Sequence, residues 1–293
     1  LTYAAIDIGS NAIRLLIASI LNDNGKTTFK KTTLIRVPLR LGDNAFVEHR
    51  ISEQKSEELI KTMSAFKNLM DVYHVEDYMA CATSALREAQ NGPDLVKIIK
   101  EKVGINLEIV EGQREANIIY SSHIDQSFDY DKDYLYIDVG GGSTELSIFH
   151  EGKPVASKSF NLGTIRILDH QDKAETWEDL RHWINTETKN YKHLIGIGTG
   201  GNINKLFRLA GEKEGKPMSI QKLEAQSDFL NAHSLEERIV KLGLNQDRAD
   251  VIIPACHIFL TVMKTAGIKQ IHVPKVGMVD GIINLLIEKN FKD

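Results

Sequence analysis

The sequence predicts two α/β domains related by duplication, each a mixed sheet covered by helices, and three observations carry that prediction. At 293 residues the chain exceeds the roughly 100–200 usual for one domain. The segment Ile6-Asp7-Ile8-Gly9-Ser10-Asn11 returns in kind as Ile137-Asp138-Val139-Gly140-Gly141-Gly142-Ser143-Thr144. After each copy extended and helical patterns alternate, as they do where crossover helices join parallel strands.

In the first half, Tyr3–Asp7 reads as a strand and Ile13–Ile20 as its hairpin partner. The cluster Asn22-Asp23-Asn24-Gly25 is a turn, and a third extended segment follows it. Over Ser52–Tyr73 the apolar residues Leu59, Ile60, Met63, Phe66, Leu69 and Met70 recur at helical spacing, with Ser52 as N-cap. Asp77–Thr83 reads as a strand, Gly92–Val103 as a helix opened by Pro93, Asn106–Glu111 as a strand, and a further helix begins near Gln113. A boundary is expected between Ser121 and Asp133, giving domains of 1–124 and 125–293.

The second half repeats the hairpin as Glu145–Phe149, a turn at Glu151-Gly152-Lys153-Pro154 and a third extended segment. Thr176–Tyr191 reads as an amphipathic helix, Leu194–Ile197 as a buried strand, and Asn202–Ala210 as a helix after a glycine-rich turn. Helical patterns then cover Ile220–Val240 and Ala249–Ala266. Gln270–Pro274 is a short last strand, and Val279–Lys289 is the closing helix.

Composition narrows the function. With 42% apolar and 26% charged residues the chain lies in the ordinary folded range, neither disordered nor fibrous. A formal net charge of −4 argues against a broad nucleic-acid face, so a phosphate-bearing ligand has to be held locally. No apolar run reaches the ~18 residues of a membrane span, because Ile252–Met263 is interrupted by His257. Cys81 and Cys256 lack the paired spacing of a zinc site, the histidines show no ligand spacing, and no secretory leader precedes Tyr3. The cytoplasm is the expected location. Trp177 and Trp183 are expected to pack rather than to stack on bases.

Two glycine-rich turns in matched positions point to phosphate. Gly9, Ser10 and Asn11 can form one cradle of backbone N–H groups, and Gly140, Gly141, Gly142, Ser143 and Thr144 a second with two hydroxyls. Each turn alone also fits a hairpin without special function; the duplication favours a site. Asp7 and Asp138 stand at the ends of apolar strands, where an unpaired carboxylate is costly and a bound Mg²⁺ compensates, with turn-capping as the alternative. Glu145 is a further candidate for Mg²⁺ or its water.

Four blocks, Asp7-x-Gly9-Ser10-Asn11, Thr83-Ser84-Ala85-Leu86-Arg87-Glu88-Ala89, Glu111-Gly112-x-x-Glu115-Ala116 and Asp138-x-Gly140-Gly141-Gly142-Ser143-Thr144-Glu145-Leu146, resemble the exopolyphosphatase and guanosine pentaphosphate phosphohydrolase (Ppx/GppA) family. The resemblance continues through Leu162-Gly163, Gly198-Thr199-Gly200-Gly201, Arg248-Ala249-Asp250 and Gly277, in a short form without the helical HD-type extension. It implies an actin-like (ribonuclease H-like) duplicated fold with an interdomain cleft, and Mg²⁺-dependent removal of a terminal phosphate from polyphosphate or from guanosine pentaphosphate. By the same resemblance Glu115 is the general base that activates water. Arg87 is the cation that neutralises phosphate, an ion pair with Glu88 or Glu111 being its ordinary alternative. No nucleic-acid or membrane partner is expected, and a homodimer is left open.

Several positions depart from the family pattern. Arg114 stands where a glutamate is common beside the base, Asn11-Ala12-Ile13-Arg14 lacks the second serine, and Val279-Asp280 replaces Arg-Glu. Arg114 keeps open a regulator that binds guanosine tetraphosphate or pentaphosphate without turnover. A small-molecule kinase of the same superfold is the weaker alternative. Gly25-Lys26-Thr27 imitates a Walker motif but has Ile20 where glycine is required, and Gly196-x-Gly198-x-x-Gly201 fits a dinucleotide fingerprint outside its usual first-strand place. The acidic chain offers little basic track for a long polyanion, which favours short chains or a nucleotide.

Overall fold

The computed structural model describes residues 1–23, 26–122, 129 and 131–291. The expected turn residues Asn24 and Gly25, and much of the segment expected to hold the boundary, lie outside the described residues. The chain divides into two units, Leu1–His123 with Val276–Asp293, and Ile124–Lys275. The expected second domain of 125–293 therefore gives up its last segment to the first unit.

In the first unit the elements run β1 (Thr2–Ile8), β2 (Ile13–Asp23), β3 (Lys26–Val37), α1 (Gly42–Glu48), α2 (Glu53–Val72), β4 (Asp77–Ala82), α3 (Ser84–Glu88), α4 (Gly92–Val103), β5 (Leu107–Ile109) and α5 (Gly112–Tyr120). The sheet order is β3-β2-β1-β4-β5. β1 pairs antiparallel with β2 and parallel with β4, so the strand that ends in Asp7-Ile8 is central and buried on both faces. Ser52 caps α2 as expected, its hydroxyl accepting from Lys55 N, and Gly104 closes α4 in the left-handed region at φ 78°. The short α1 and α3 carry too few turns to leave a readable period and were not anticipated.

The second unit repeats the plan: β6 (Tyr134–Val139), β7 (Thr144–His150), β8 (Lys153–Phe160), α6 (Thr164–Leu168), α7 (Ala174–Thr188), β9 (Ile195–Thr199), α8 (Gly201–Leu209), β10 (Met218–Ser219), α9 (Ile220–Asn231), α10 (Leu235–Val240), α11 (Gln246–Ala249), α12 (Ile252–Thr265) and β11 (Gln270–His272). Its sheet order, β10-β11-β9-β6-β7-β8, contains the same antiparallel hairpin plus parallel neighbour around β6. The core is built on Leu135, Ile137, Leu146 and Ile148 with Ile258, Phe259 and Val262 from α12, a helix apolar on most of its circumference. The helix expected over Ile220–Val240 breaks at Ala232–Ser234. There Ser234 and Glu237 form a reciprocal capping box that starts α10, a Ser-x-x-Glu signature legible in the sequence.

The closing helix α13 (Met278–Phe291) belongs to the first unit because its apolar face is spent there. Met278, Val279, Ile282, Ile283, Leu286 and Ile287 pack with Tyr3, Leu16, Cys81, Val110, Ile118 and Ile119. Gly281 lies so close to the Ile118 carbonyl of α5 that a Cβ would strike it. Asn284 donates to Ser121 O at 2.7 Å, and the buried Asp280 takes Lys31 Nζ of β3 at 2.6 Å.

Candidate active site

The two hairpin loops are built alike. In the first, Gly9 N donates to Ala12 O at 3.2 Å; in the second, Gly140 N donates to Ser143 O at 2.9 Å. The carbonyls of Ser10 and Asn11 accept from Gly42 and Arg40, while those of Gly140 and Gly141 accept from Thr164 and Ile165 and that of Gly142 from Arg166 Nε at 2.6 Å. A trans peptide sets its N–H opposite to its C=O. The N–H groups of Asn11 and Ala12, and of Gly141, Gly142 and Ser143, are thereby turned away from the elements that hold the carbonyls, which is the arrangement of an anion-binding nest. Glycine at 163 is required for this in the second unit, because a Cβ there would overlap the Gly141–Gly142 peptide.

Of the two hydroxyls expected in the second cradle, that of Thr144 plays a different part. Ser10 is buried and its Oγ is 2.8 Å from Ser84 Oγ, while Thr144 donates to Leu162 O at 2.6 Å. Both brace their loops.

Because each loop has four residues, it fixes which side chains stand opposite across the hairpin. Ile8 pairs with Ile13, so Asp7 faces Arg14; Val139 pairs with Thr144, so Asp138 faces Glu145. The rows extend across both sheets: Arg36, Arg14, Asp7, Cys81 and Glu108 in the first unit, and Ser159, Glu145, Asp138 and Thr199 in the second. Arg14 Nη1 lies 2.7 Å from Asp7 Oδ2, so a guanidinium supplies the compensation that the sequence argument assigned to Mg²⁺ at this buried carboxylate. In the second unit two carboxylates stand side by side. Asp138 Oδ1 accepts from Thr199 at 2.6 Å and Glu145 Oε1 from Ser159 at 2.8 Å, contacts that carry no charge. Like charges directly opposite are unfavourable, and a divalent cation on hard oxygen ligands relieves them. Asp138 and Glu145 thus fit Mg²⁺. Among the described residues no three His, Cys, Asp or Glu side chains gather closely enough to hold a metal without further ligands.

Glu115 lies in the first turn of α5, only 8% exposed. Arg87, at the end of α3, approaches its Oε2 at 3.8 Å and donates from Nη1 to Val110 O at 2.7 Å, which anchors the guanidinium beside the carboxylate. Asp7 and Glu115 share a neighbourhood, since the Cys81 thiol is pushed up to about 12 by burial and then by the carboxylates of Glu108, Asp7 and Glu115. A thiol so suppressed is a packing group, not a nucleophile. Arg114 turns onto β5, its Nε 2.8 Å from Glu108 Oε1. Arg14 was noted in the sequence only as a departure, although counting from the four-residue loop finds its partner.

The dinucleotide-like glycines have a packing reason. A Cβ on Gly198 would come within 2.8 Å of Ile271 Cδ1, and one on Gly201 within 2.9 Å of Arg248 Nη2. Trp177 is buried and stacks on His257 at 5.0 Å, in keeping with packing. Among the described residues no helix is long and apolar enough to cross a membrane.

Residues 20–290 match the model of the Ppx/GppA phosphatase family. A bifunctional 3-dehydroquinate synthase/phosphatase of Fusobacterium nucleatum is 33% identical over 276 residues; the match covers 85% of this chain and 41% of that protein. Exopolyphosphatase 1 of Mycobacterium leprae is 22% identical over 95% of this chain and 87% of its own. Among solved structures, the Ppx/GppA family member of Aquifex aeolicus superposes with TM-score 0.78 at 24% identity, covering 100% of this chain and 99% of its own. An exopolyphosphatase from Cytophaga hutchinsonii does so with TM-score 0.83 at 23% identity, over 99% of this chain and 98% of its own. The duplicated actin-like α/β fold expected from the sequence is the fold these structures share.

Proposed function

We propose that the chain, which belongs to the Ppx/GppA phosphatase family, is a phosphatase that hydrolyses the terminal phosphoanhydride of inorganic polyphosphate or guanosine pentaphosphate with Mg²⁺. The observation that carries this reading is the buried Glu115 held 3.8 Å from Arg87. A carboxylate costs free energy to bury, and a cation beside it that is itself tied to Val110 O offsets that cost and holds the carboxylate in place.

In the proposed reaction Glu115 takes a proton from water, whose oxygen attacks the terminal phosphorus in line. The bridging P–O bond breaks, releasing orthophosphate and a chain one phosphate shorter. The donors proposed for phosphate oxygens are the N–H groups of Asn11 and Ala12 in the first unit and, separately, those of Gly141, Gly142 and Ser143 in the second. Arg87 orients Glu115 and lends positive charge nearby. Asp138 and Glu145 would hold Mg²⁺, which when bound draws charge from phosphate oxygens. Asp7, already engaged by Arg14, contributes to the polar row rather than leading as a ligand. Arg114 pairs with Glu108 and not with the base, which favours turnover over a binding-only regulator.

Phosphate release with Mg²⁺ from short polyphosphate, long polyphosphate and guanosine pentaphosphate tests the reading. Glu115→Gln is expected to lose roughly 10²–10⁴ in kcat. Undiminished release by that variant would remove Glu115 from the chemistry, and failure of the unaltered protein on all three substrates would remove the activity.

A further inference from the structure

A lysine stands at the start of α2, where the helix itself favours an acid. Ser52 is the N-cap, so Lys55 lies in the first turn, at the positive end of the helix dipole. Its side chain is largely covered, and its ammonium turns back toward the segment before α1. Nζ donates to Leu39 O at 2.9 Å and to Arg40 O at 2.6 Å, and lies 3.6 Å from Asp43 Oδ2. Each ammonium proton therefore has an acceptor in reach.

Arg40 is the residue this arrangement secures. Its φ is 51°, in the left-handed region, which costs a residue with a side chain free energy and persists only where the surroundings fix it. Its carbonyl accepts from Asp43 N as well as from Lys55, and its Nε donates to both Asp43 oxygens at 3.1 and 3.2 Å.

The peptide between Leu39 and Arg40 links the ammonium to the first loop. Its C=O takes Lys55, and its N–H, on the opposite side of a trans peptide, donates to Asn11 O at 3.1 Å. Asn11 O belongs in turn to the peptide whose N–H is that of Ala12, one of the nest donors. A positive charge at one end of such a chain polarises every bond along it and strengthens the last donor toward an anion. Satisfying two buried carbonyls is the ordinary use of a lysine here, but these two flank the one left-handed residue that holds the loop. The second unit places a cation one peptide away instead of two: Arg166 Nε donates to Gly142 O at 2.6 Å, and that peptide carries the N–H of Ser143.

We propose that Lys55 is a positioning residue for the first loop, fixing the peptides at Arg40 and Ala12 and strengthening Ala12 N–H as a donor to phosphate. This rests on the reading above that the loop takes phosphate.

Amide NMR of the whole protein, titrated with inorganic phosphate, tests it with Lys55→Met, which keeps the apolar stem and removes the ammonium. The Arg40 and Gly42 amides are expected to exchange with solvent about tenfold faster, and phosphate to bind at Ala12 about tenfold more weakly, while Gly141, Gly142 and Ser143 respond as before. Lys55→Arg, which restores a cationic donor, is expected to bring both quantities back to within about threefold. Equal weakening at both loops, or protection lost along β1 as well, would make Lys55 a general support of the fold and overturn the role. Unchanged phosphate binding at Ala12 in Lys55→Met would overturn it too. If phosphate leaves Ala12 unmoved in the unaltered protein, the phosphate reading of the loop fails and takes this role with it. Weakened binding at Ala12 alone upholds Lys55 even where no polyphosphate or nucleotide is hydrolysed.

Discussion

Asp7 and Asp138 occupy equivalent places in a duplicated chain, yet one faces an arginine and the other a glutamate. The difference sorts three carboxylates that look alike in the sequence: Asp7 is engaged by Arg14 within the fold, while Asp138 and Glu145 are the pair proposed to hold Mg²⁺. Added Mg²⁺ is expected to stabilise the protein by about 1.4 kcal/mol at ten times its Kd, a Tm rise of a few degrees, and Glu145→Gln to abolish that rise. Thermal unfolding with and without Mg²⁺ measures it, and an undiminished shift in the variant would move the metal elsewhere. The residues were legible in the sequence but their partners were not used, although a four-residue hairpin loop determines register two positions into each strand. Thr144 misled for another reason, and Ser10 shows the same effect. Whether a hydroxyl faces a ligand or braces its own loop depends on Ser84 and Leu162, which come from outside the hairpin.

Elements with a strong local signature were read to within a few residues: α4 has the bounds Gly92–Val103 given by Pro93 and Gly104, and the two hairpins come from their turn chemistry. The short α1, α3 and α6 escaped because five to seven residues hold too little period to show. The pattern of α13 marks it as buried without saying against what, and the answer depends on Gly281. Gly281→Ala gains up to about 1 kcal/mol of helix propensity but drives a Cβ into the Ile118 carbonyl, a backbone atom that cannot swing aside. A net loss of about 2 kcal/mol is expected in urea unfolding. A neutral result would mean that α13 and α5 can part at little cost.

At the scale of the whole molecule, the repeated strand order was legible because each hairpin and its parallel neighbour are encoded close together. The ownership of residues 276–293 was not, since it depends on contacts with strands more than two hundred positions earlier. Removing Val276–Asp293 is expected to strip hydrogen-exchange protection from β1 and β4 while leaving β6 and β9 protected. Equal loss in both sheets would show that α13 supports more than its own unit.

That the first unit is assembled from two segments separated by the whole of the second also sets an order in time. On the ribosome, Ile124–Lys275 emerges as one continuous stretch with its core complete, whereas the unit that was begun first must wait for residues 276–293 before α13 can cover Tyr3, Leu16 and Cys81. Of the two units, the one begun earlier is the later to be finished, and through that interval its apolar surface is open to chaperones and to other nascent chains.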